Sequence, residues 1–228
     1  MKKTLLILLV FSISLACLLI ATEANTFDLK KYLNSFDKHD TMDVTGKSFR
    51  ELGDITNDLF EYLRGKSGDE ILEPNFNERE ILHMRDVQVL FKYGFILKYV
   101  SVILALAIII YFRIKRDVKI VGRYMYKGLF ANWILVGILG LMVYFNFDKY
   151  FTIFHKIFFS NDLWLLNPET DLLIQMLPEE FFISMAISIM LSFLGFVATI
   201  QGIGYATARK EKGNSEKKFK WFKRDSKD

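Results

Sequence analysis

The sequence predicts an all-α integral membrane protein with four transmembrane helices and a mostly helical extracellular cap. Two observations predict this fold class: four long apolar runs that carry almost no charge, and an uneven distribution of Lys and Arg among the segments between them. A helix needs about 20 apolar residues to cross roughly 30 Å of hydrocarbon, which is the approximate length of each run. Because lipid offers no hydrogen-bond partner to an open backbone, we expect all four runs to be helical.

The predicted spans divide the chain into eight segments. Three apolar runs carry no charge, and the second carries only Lys98, whose ammonium lies near one end and can reach the headgroups. The spans are assigned to residues 1–22, 94–112, 128–147 and 181–206. The other segments are the extracellular cap (23–93), a cytoplasmic basic loop (113–127), an extracellular aromatic-rich loop (148–180) and a cytoplasmic basic tail (207–228).

The orientation follows from the basic residues, which are concentrated on the cytoplasmic side of membrane proteins. The loop 113–127 has six basic residues against one acidic, and residues 209–228 have nine against four. Residues 23–92 instead have fifteen acidic residues against ten basic, and residues 148–180 have six against two. We therefore expect both termini to be cytoplasmic. Attraction of the basic segments to anionic lipid also accounts for the net charge of +4, so no nucleic-acid partner is expected.

The first apolar run has a second interpretation, because Lys2 and Lys3 followed by an apolar stretch also resemble a secretory signal peptide. Its nineteen uncharged residues exceed the usual apolar region of about 7 to 15, which favours a span. Cys17 lies in this run and is the only cysteine, which excludes an intrachain disulfide. We interpret it as a small apolar residue rather than a site of lipid attachment.

The predicted cap is too long for a tight turn and small for an independent core, so it is expected to rest on the membrane domain. One helix is predicted over residues 48–64, where Gly65 follows as a helix terminator. A second helix is expected to begin at Asn77, because Glu80 three residues later resembles a capping box. No helix breaker precedes residue 94, so this helix is predicted to continue into the second span.

The three histidines all lie outside the apolar runs, and His155 has the most unusual surroundings. Phe147, Phe151, Phe154 and Phe158 recur at helical spacing and form one stripe beside it. A polar residue in such a setting favours chemistry on an apolar substrate. The alternative is an ordinary interfacial aromatic belt, to which these phenylalanines and Trp164 would belong. His39 has polar neighbours and is interpreted as a solvated loop residue.

The surroundings of His83 also have two interpretations. Glu80 lies one helical turn before it and Asp86 one turn after it, so either carboxylate could fix the imidazole tautomer and raise its basicity. The alternative is that Glu80, Arg85 and Asp86 are solvated helix charges. The scattered carboxylates and histidines lack the spacing of a zinc site, and no P-loop or dinucleotide fingerprint occurs, so neither a metal nor a cofactor is predicted.

Two segments carry a family resemblance. FNEREILHMRDV (76–87) and FHKIFFSNDLWLLNPETDLLIQMLPEEFF (154–182) resemble the bacterial lipoprotein intramolecular transacylases, which are integral membrane enzymes. The resemblance covers nearly the whole chain. It implies that His83 and His155 are the catalytic residues, that diacylated lipoproteins are the substrates, and that the protein lies in the bacterial cytoplasmic membrane. Combined with the predicted topology, it implies an active site on the outer face.

The reaction that the resemblance implies moves the sn-2 acyl chain of an S-diacylglyceryl lipoprotein to the α-amino group of its own amino-terminal cysteine. The product is a lyso-form lipoprotein, and the intermediate is an eight-membered ring. His155 is assigned as general base and His83, oriented by Glu80 or Asp86, as stabiliser of the oxyanion, although the roles could be exchanged and an acyl-histidine intermediate is an alternative. The residues expected to bind or orient the substrate are Glu80, Arg85, Asp86, Tyr150, Phe151, Phe154, Phe158 and Trp164.

Two other classes of function would share this topology: a non-catalytic membrane sensor or accessory subunit with a ligand-binding cap, and a membrane metallohydrolase. Membrane lipid is the further expected partner, and the sequence does not indicate an oligomeric state. On straight helices both histidines would stand more than about 10 Å beyond the nearest span ends. The sequence therefore leaves open whether they meet.

Overall fold

The computed structural model describes the backbone of residues 2–224 and the side chains of residues 2–209, and all regular structure in that range is helical. The helices are α1 (Lys2–Thr26), α2 (Leu29–Lys38), α3 (Thr41–Thr45), α4 (Phe49–Leu63), α5 (Glu78–Ile114), α6 (Val118–Gly128), α7 (Phe130–Phe158), α8 (Leu172–Met176) and α9 (Glu179–Arg224). A 3₁₀ turn lies at Asp69–Ile71. Within the described residues, four of the helical stretches are long and apolar enough to cross a membrane, which confirms the predicted fold class.

Two of the long helices extend well beyond their apolar runs. α5 has 37 residues and is therefore about 55 Å long at 1.5 Å per residue, nearly twice the thickness of the hydrocarbon core. The charged turns that precede the run 94–112 form the beginning of this same helix, as the sequence predicts. α9 continues without interruption to Arg224, through most of the segment assigned as a basic tail, and residues 225–228 of that segment lie outside the described residues.

The chain forms two compact units, and the first comprises residues 1–18, 98–137 and 191–228. Its helices approach closely at two glycines: a Cβ on Gly122 of α6 would lie 2.7 Å from the carbonyl oxygen of Gly204 in α9. Small residues allow helices in membranes to pack at such short distances. Polar side chains also link helices here, since the Asn132 amide donates to Ser14 Oγ at 2.9 Å.

The second unit comprises residues 19–97 and 138–190, and its apolar core contains much of the predicted cap. The predicted helix 48–64 is α4: Ser48 and Glu51 form a capping box at its start, and Gly65 follows its end with φ +68°, where a side chain would be strained. α2 and α3 are additional to the two helices that the sequence predicts for this segment. α4 packs Leu52, Ile55 and Leu59 into the core.

α7 is broken at Asn146, where the backbone is extended (φ −166°, ψ 77°). The Asn146 side chain accepts a hydrogen bond from the backbone amide of Lys149 at 3.0 Å, which is the bond of a helix N-cap. Residues 147–158 therefore form a separate helical segment with its own direction. This segment carries His155, so a straight continuation of the third span does not describe the position of that residue.

Candidate active site

His83 and His155 meet in the second unit. Their ring centroids lie 6.1 Å apart, and Phe159 contacts both rings, at 5.2 Å from His83 and 5.6 Å from His155. Both imidazoles are buried, with 7% and 8% of their surface exposed. His39, in contrast, follows α2 as its C-cap residue and has no part in this cluster. The structure thus brings together the two histidines that the sequence singles out.

The hydrogen bond of His155 determines its tautomer. Its Nδ1 lies 2.7 Å from the carbonyl oxygen of Phe151. A carbonyl only accepts, so Nδ1 carries the proton and donates it, and Nε2 of the neutral ring is a free base. Burial lowers the pKa of His155, and the bond to Phe151 partly opposes this effect. The ring is therefore neutral at pH 7, with its basic nitrogen held in one orientation.

Aromatic side chains hold the His155 ring on several sides. Trp164 stacks on it with centroids 4.8 Å apart, and the ring of Phe151 meets it edge-on at 4.4 Å. Trp164 is itself fixed by a hydrogen bond from its Nε1 to the carbonyl oxygen of Asn161 at 2.9 Å. Phe154 also contacts the imidazole, at 5.5 Å. These contacts leave the ring little rotational freedom.

His83 has a different electrostatic setting. Its Nδ1 is buried and has no hydrogen-bond partner among the described residues. Burial, and to a smaller extent the neighbouring His155, lower the pKa of His83 to about 4, although Asp86 acts in the opposite direction. His83 is consequently neutral at pH 7. A buried polar atom without a partner is costly in a native protein, so it marks a place where a ligand can bind.

Neither Glu80 nor Asp86 orients His83 in the way the sequence analysis expects, since no hydrogen bond joins either carboxylate to the imidazole in the described part of the chain. Glu80 instead accepts from the backbone amides of Asn77 at 2.8 Å and Leu173 at 2.6 Å. The first backbone amides of a helix have no acceptor within the helix, so a nearby carboxylate can bind them. Here the Glu80 carboxylate accepts from one amide at the start of α5 and one at the start of α8. Asp86 accepts from the side-chain amide of Asn161 at 2.8 Å.

Glu80 is therefore a buried anchor rather than a solvated charge, with 1% of its surface exposed. Its two bonds tie the start of α5 to the start of α8, one turn before His83. Burial raises the pKa of Glu80, and its two backbone hydrogen bonds act in the opposite direction. Asp86 similarly ties α5 to the loop after α7, because it accepts a hydrogen bond from Asn161. Trp164 lies in that same loop.

The remaining predicted substrate residues fall into two groups. Phe151 and Phe154 line the cavity that contains both histidines. Phe158 packs on Phe154 at 4.7 Å and is half exposed, and Tyr150 does not line the cavity.

Arg85 lies outside the histidine cluster. It is paired with Asp69, whose carboxylate also accepts a hydrogen bond from the Tyr62 hydroxyl at 2.8 Å. Arg85 and Asp69 line a separate cleft of about 270 Å³. We therefore find no contact through which Arg85 could orient the imidazoles, because its guanidinium is engaged elsewhere.

The cavity has a volume of about 470 Å³, within the usual range of about 300 to 1,000 Å³ for ligand sites. Its wall is mostly apolar, and the histidines supply the polar groups at one place in it. Much of the wall comes from residues that the sequence analysis did not identify, including Tyr32, Leu59, Phe60, Leu63, Leu173, Leu177, Phe181, Phe182 and Met185. Phe159 also lines the cavity, and the sequence could have identified it, because it lies one helical turn after His155.

The described residues contain no group of three or more His, Cys, Asp or Glu side chains that could hold a metal ion. The paired imidazoles in a largely apolar cavity suit acid–base chemistry on an apolar substrate. The site offers one imidazole with a free basic nitrogen, a second neutral imidazole with an unpaired nitrogen, and a largely apolar wall.

Comparisons with known proteins identify the family. The family model of the lipoprotein intramolecular transacylase Lit matches residues 7–182. The chain is also similar to the in meso structure of this integral membrane enzyme from Bacillus cereus, with a TM-score of 0.84 and 26% identity over 93% of this chain and 98% of the other. No curated protein matches the sequence.

Two further structures of the Bacillus cereus enzyme match with TM-scores of 0.79 and 25% identity. In one a histidine is replaced by arginine, and the match covers 94% of this chain and 95% of the other. In the other a histidine is replaced by alanine, and the match covers 93% and 96%. The chain belongs to the lipoprotein intramolecular transacylase family of integral membrane acyltransferases.

Proposed function

We propose that this protein moves the sn-2 acyl chain of an S-diacylglyceryl lipoprotein to the α-amino group of the amino-terminal cysteine of the same molecule, and that His83 and His155 act together in this transfer. One observation carries the proposal: two histidines from distant parts of the chain lie 6.1 Å apart in a largely apolar cavity. Such a cavity suits the lipid part of the substrate, and the paired imidazoles suit proton transfer at its ester.

The main obstacle to the reaction is the ring that must form. The amine nitrogen, Cα, Cβ, sulfur, two glycerol carbons, the ester oxygen and the carbonyl carbon make eight members, and rings of this size close reluctantly. Holding the two ends together can contribute a large part of the rate, about 7 to 11 kcal/mol in favourable cases. The aromatic wall also excludes water that would otherwise hydrolyse the ester.

His155 is suited to be the general base. The attacking amine must be neutral, and an α-ammonium has a pKa of about 7.7 to 8.0 in water. Burial in the cavity lowers the pKa of the ammonium, and it also lowers the pKa of His155. The difference between the two pKa values therefore stays small, and a proton can pass from the amine to His155 at little cost. As the substrate's amine nitrogen bonds to the carbonyl carbon, His155 Nε2 takes a proton from that amine. His155 Nε2 then gives this proton to the glycerol oxygen as the ester C–O bond breaks.

His83 is suited to stabilise the negative charge that develops on the carbonyl oxygen. Its ring is neutral, and its Nδ1 has no partner among the described residues, so a protonated Nδ1 can donate to that oxygen. An uncharged donor avoids the cost of burying a second cation beside the His155 imidazolium. Exchange of the two roles would require His155 to leave its bond to Phe151.

The proposed topology places both termini in the cytoplasm and the histidine pair on the outer face, where lipoproteins are displayed. The excess of Lys and Arg in 113–127 and of Asp and Glu in 23–92 supports this orientation. Because Cys17 is the only cysteine, a Cys17→Ala background allows single reporter cysteines at Ser67 and at Lys119. We expect an impermeant maleimide to label the first in intact cells and the second only after permeabilisation.

The decisive experiment incubates the purified protein with a diacylated lipopeptide and locates each acyl chain by mass spectrometry. Unchanged total mass with one acyl chain on the amine is the expected result. Loss of an acyl mass would show hydrolysis, and a gain would show transfer from a second lipid; either would overturn the proposal. His39→Ala serves as the matched control for His83→Ala and His155→Ala, because His39 lies outside the histidine cluster.

A further inference from the structure

Besides the histidines, three residues with hydroxyl groups line the cavity, Thr22, Thr26 and Tyr32 of α2, and the histidine mechanism does not use Tyr32. The residue is 5% exposed and lines the same cavity as His83 and His155. Its hydroxyl makes no hydrogen bond to another described residue, but it is not fully enclosed, since the fully buried unpaired side-chain atoms in that part of the chain are Ser35 Oγ and His83 Nδ1. A tyrosine hydroxyl on a largely apolar wall usually finds a partner, because it is otherwise poorly hydrated there. The space that Tyr32 lines is therefore where its partner is expected.

The position of Tyr32 separates it from the reacting atoms. Its ring packs against Phe60 at 5.1 Å and Phe181 at 4.7 Å rather than against either imidazole. From Phe181 a series of ring contacts continues through Phe182 and Phe151 to His155. A group bound at Tyr32 would therefore share the cavity with an ester at the histidines but contact a different part of the wall.

The chemistry of the hydroxyl limits what this group is. Burial raises the pKa of Tyr32, so the phenol stays protonated and acts as a neutral donor. The partner must then be an acceptor that enters a largely apolar cavity. In a diacylglyceryl lipopeptide the acyl tails carry no acceptor. The peptide carries acceptors, but it is polar and is not expected to enter an apolar cavity. The ester carbonyl on the neighbouring glycerol carbon is the acceptor that remains.

We propose that the Tyr32 hydroxyl binds the carbonyl of the ester that does not react, at sn-1, and thereby determines which of the two acyl chains lies at the histidines. This inference rests on the proposed function and extends it to regiospecificity. Tyr32 is a positioning residue in this scheme: it fixes the glycerol so that the sn-2 ester, rather than the sn-1 ester, faces Nε2 of His155.

The test compares two lipopeptides, the natural diester and an analogue with an sn-1 alkyl ether in place of the ester, which lacks the carbonyl. Losing one neutral hydrogen bond corresponds to about a three- to tenfold effect. We expect wild-type protein to convert the ether analogue with a kcat/KM lower by that factor. We expect Tyr32→Phe to convert both substrates equally, at the level of wild type with the ether, and to transfer some sn-1 acyl chain from the diester.

Equal conversion of the two substrates by wild type would overturn the inference, as would a Tyr32→Phe variant that still discriminates between them. Tyr93→Phe is the matched control, since Tyr93 is 60% exposed and does not line the cavity. Tyr32→Phe removes no bond within the described residues, so its melting temperature should equal that of wild type.

The same comparison can be made without turnover. Dissociation constants of the two lipopeptides for His155→Ala and for His155→Ala/Tyr32→Phe should show the three- to tenfold preference in the first protein only. Absence of that preference overturns the Tyr32 inference even if acyl transfer occurs. Its presence together with an inactive wild type would instead contradict the proposed function alone.

Discussion

His83 and His155 lie 6.1 Å apart, although one is on the first turns of α5 and the other on the last turns of α7. The break at Asn146 gives the second helical segment its own direction, and Phe159 packs against both imidazoles. Two buried imidazoles this close cannot both be charged without a large penalty, since each cation raises the cost of the other. The pair is therefore adapted to carry one proton at a time.

His155→Ala should lower conversion of a diacylated lipopeptide by at least about 10²-fold, because general acid–base catalysis typically contributes 10² to 10⁴. Single-turnover acyl transfer, followed by mass spectrometry, measures this loss. His39→Ala should remain within about twofold of wild type. If His155→Ala instead keeps near-normal activity at unchanged protein yield, His155 is not the base.

His83 should make stability depend on pH. Burial sets its folded pKa at about 4, below the unfolded value of 6.5. The unfolded chain therefore binds more protons between those values, and the stabilisation present above pH 6.5 is lost as the pH falls toward 4. The slope for one group reaches at most about 1.4 kcal/mol per pH unit.

We expect His83→Gln to flatten the difference in unfolding free energy between pH 7 and pH 5, as measured by chemical denaturation in detergent. Comparing the two proteins cancels the titration of the carboxylates they share. Parallel curves for wild type and His83→Gln would contradict the burial argument.

Glu80→Ala should destabilise the protein by roughly 1 to 3 kcal/mol, because it leaves the amides of Asn77 and Leu173 without their acceptor. Glu80→Gln keeps one acceptor oxygen and should lose less. Thermal unfolding ranks the variants. If direct orientation of His83 were the role of Glu80, both variants would instead keep the wild-type melting temperature and lose activity equally.

Trp164→Ala should reduce activity about tenfold without abolishing it, since the indole stacks on His155 at 4.8 Å and takes no proton. Phe158→Ala is the comparison, because Phe158 packs on Phe154 and is half exposed. Steady-state kinetics on the lipopeptide should show a larger fall for Trp164→Ala. An equal fall for both variants would mean that general packing, rather than the stacking contact, is responsible.

The sequence by itself determined the membrane helices, because length and absence of charge in an apolar run are local properties that lipid converts directly into helix. It also indicated that α5 is continuous from its capping box at Asn77 into the second span, since a helix start depends on neighbouring residues. The aromatic stripe beside His155 was readable for the same reason: Phe151 and Phe154 are within one turn of it.

Only the tertiary structure decided how these parts form a site. The break at Asn146 is not signalled by periodicity, and without it His155 would not have the position it has beside His83. Glu80 lies one turn from His83 in sequence, yet its carboxylate binds the amide of Leu173, which is distant in the chain. Tyr32 reaches the cavity through packing on Phe60 and Phe181. Each of these relationships depends on contacts between distant segments, which local spacing does not specify.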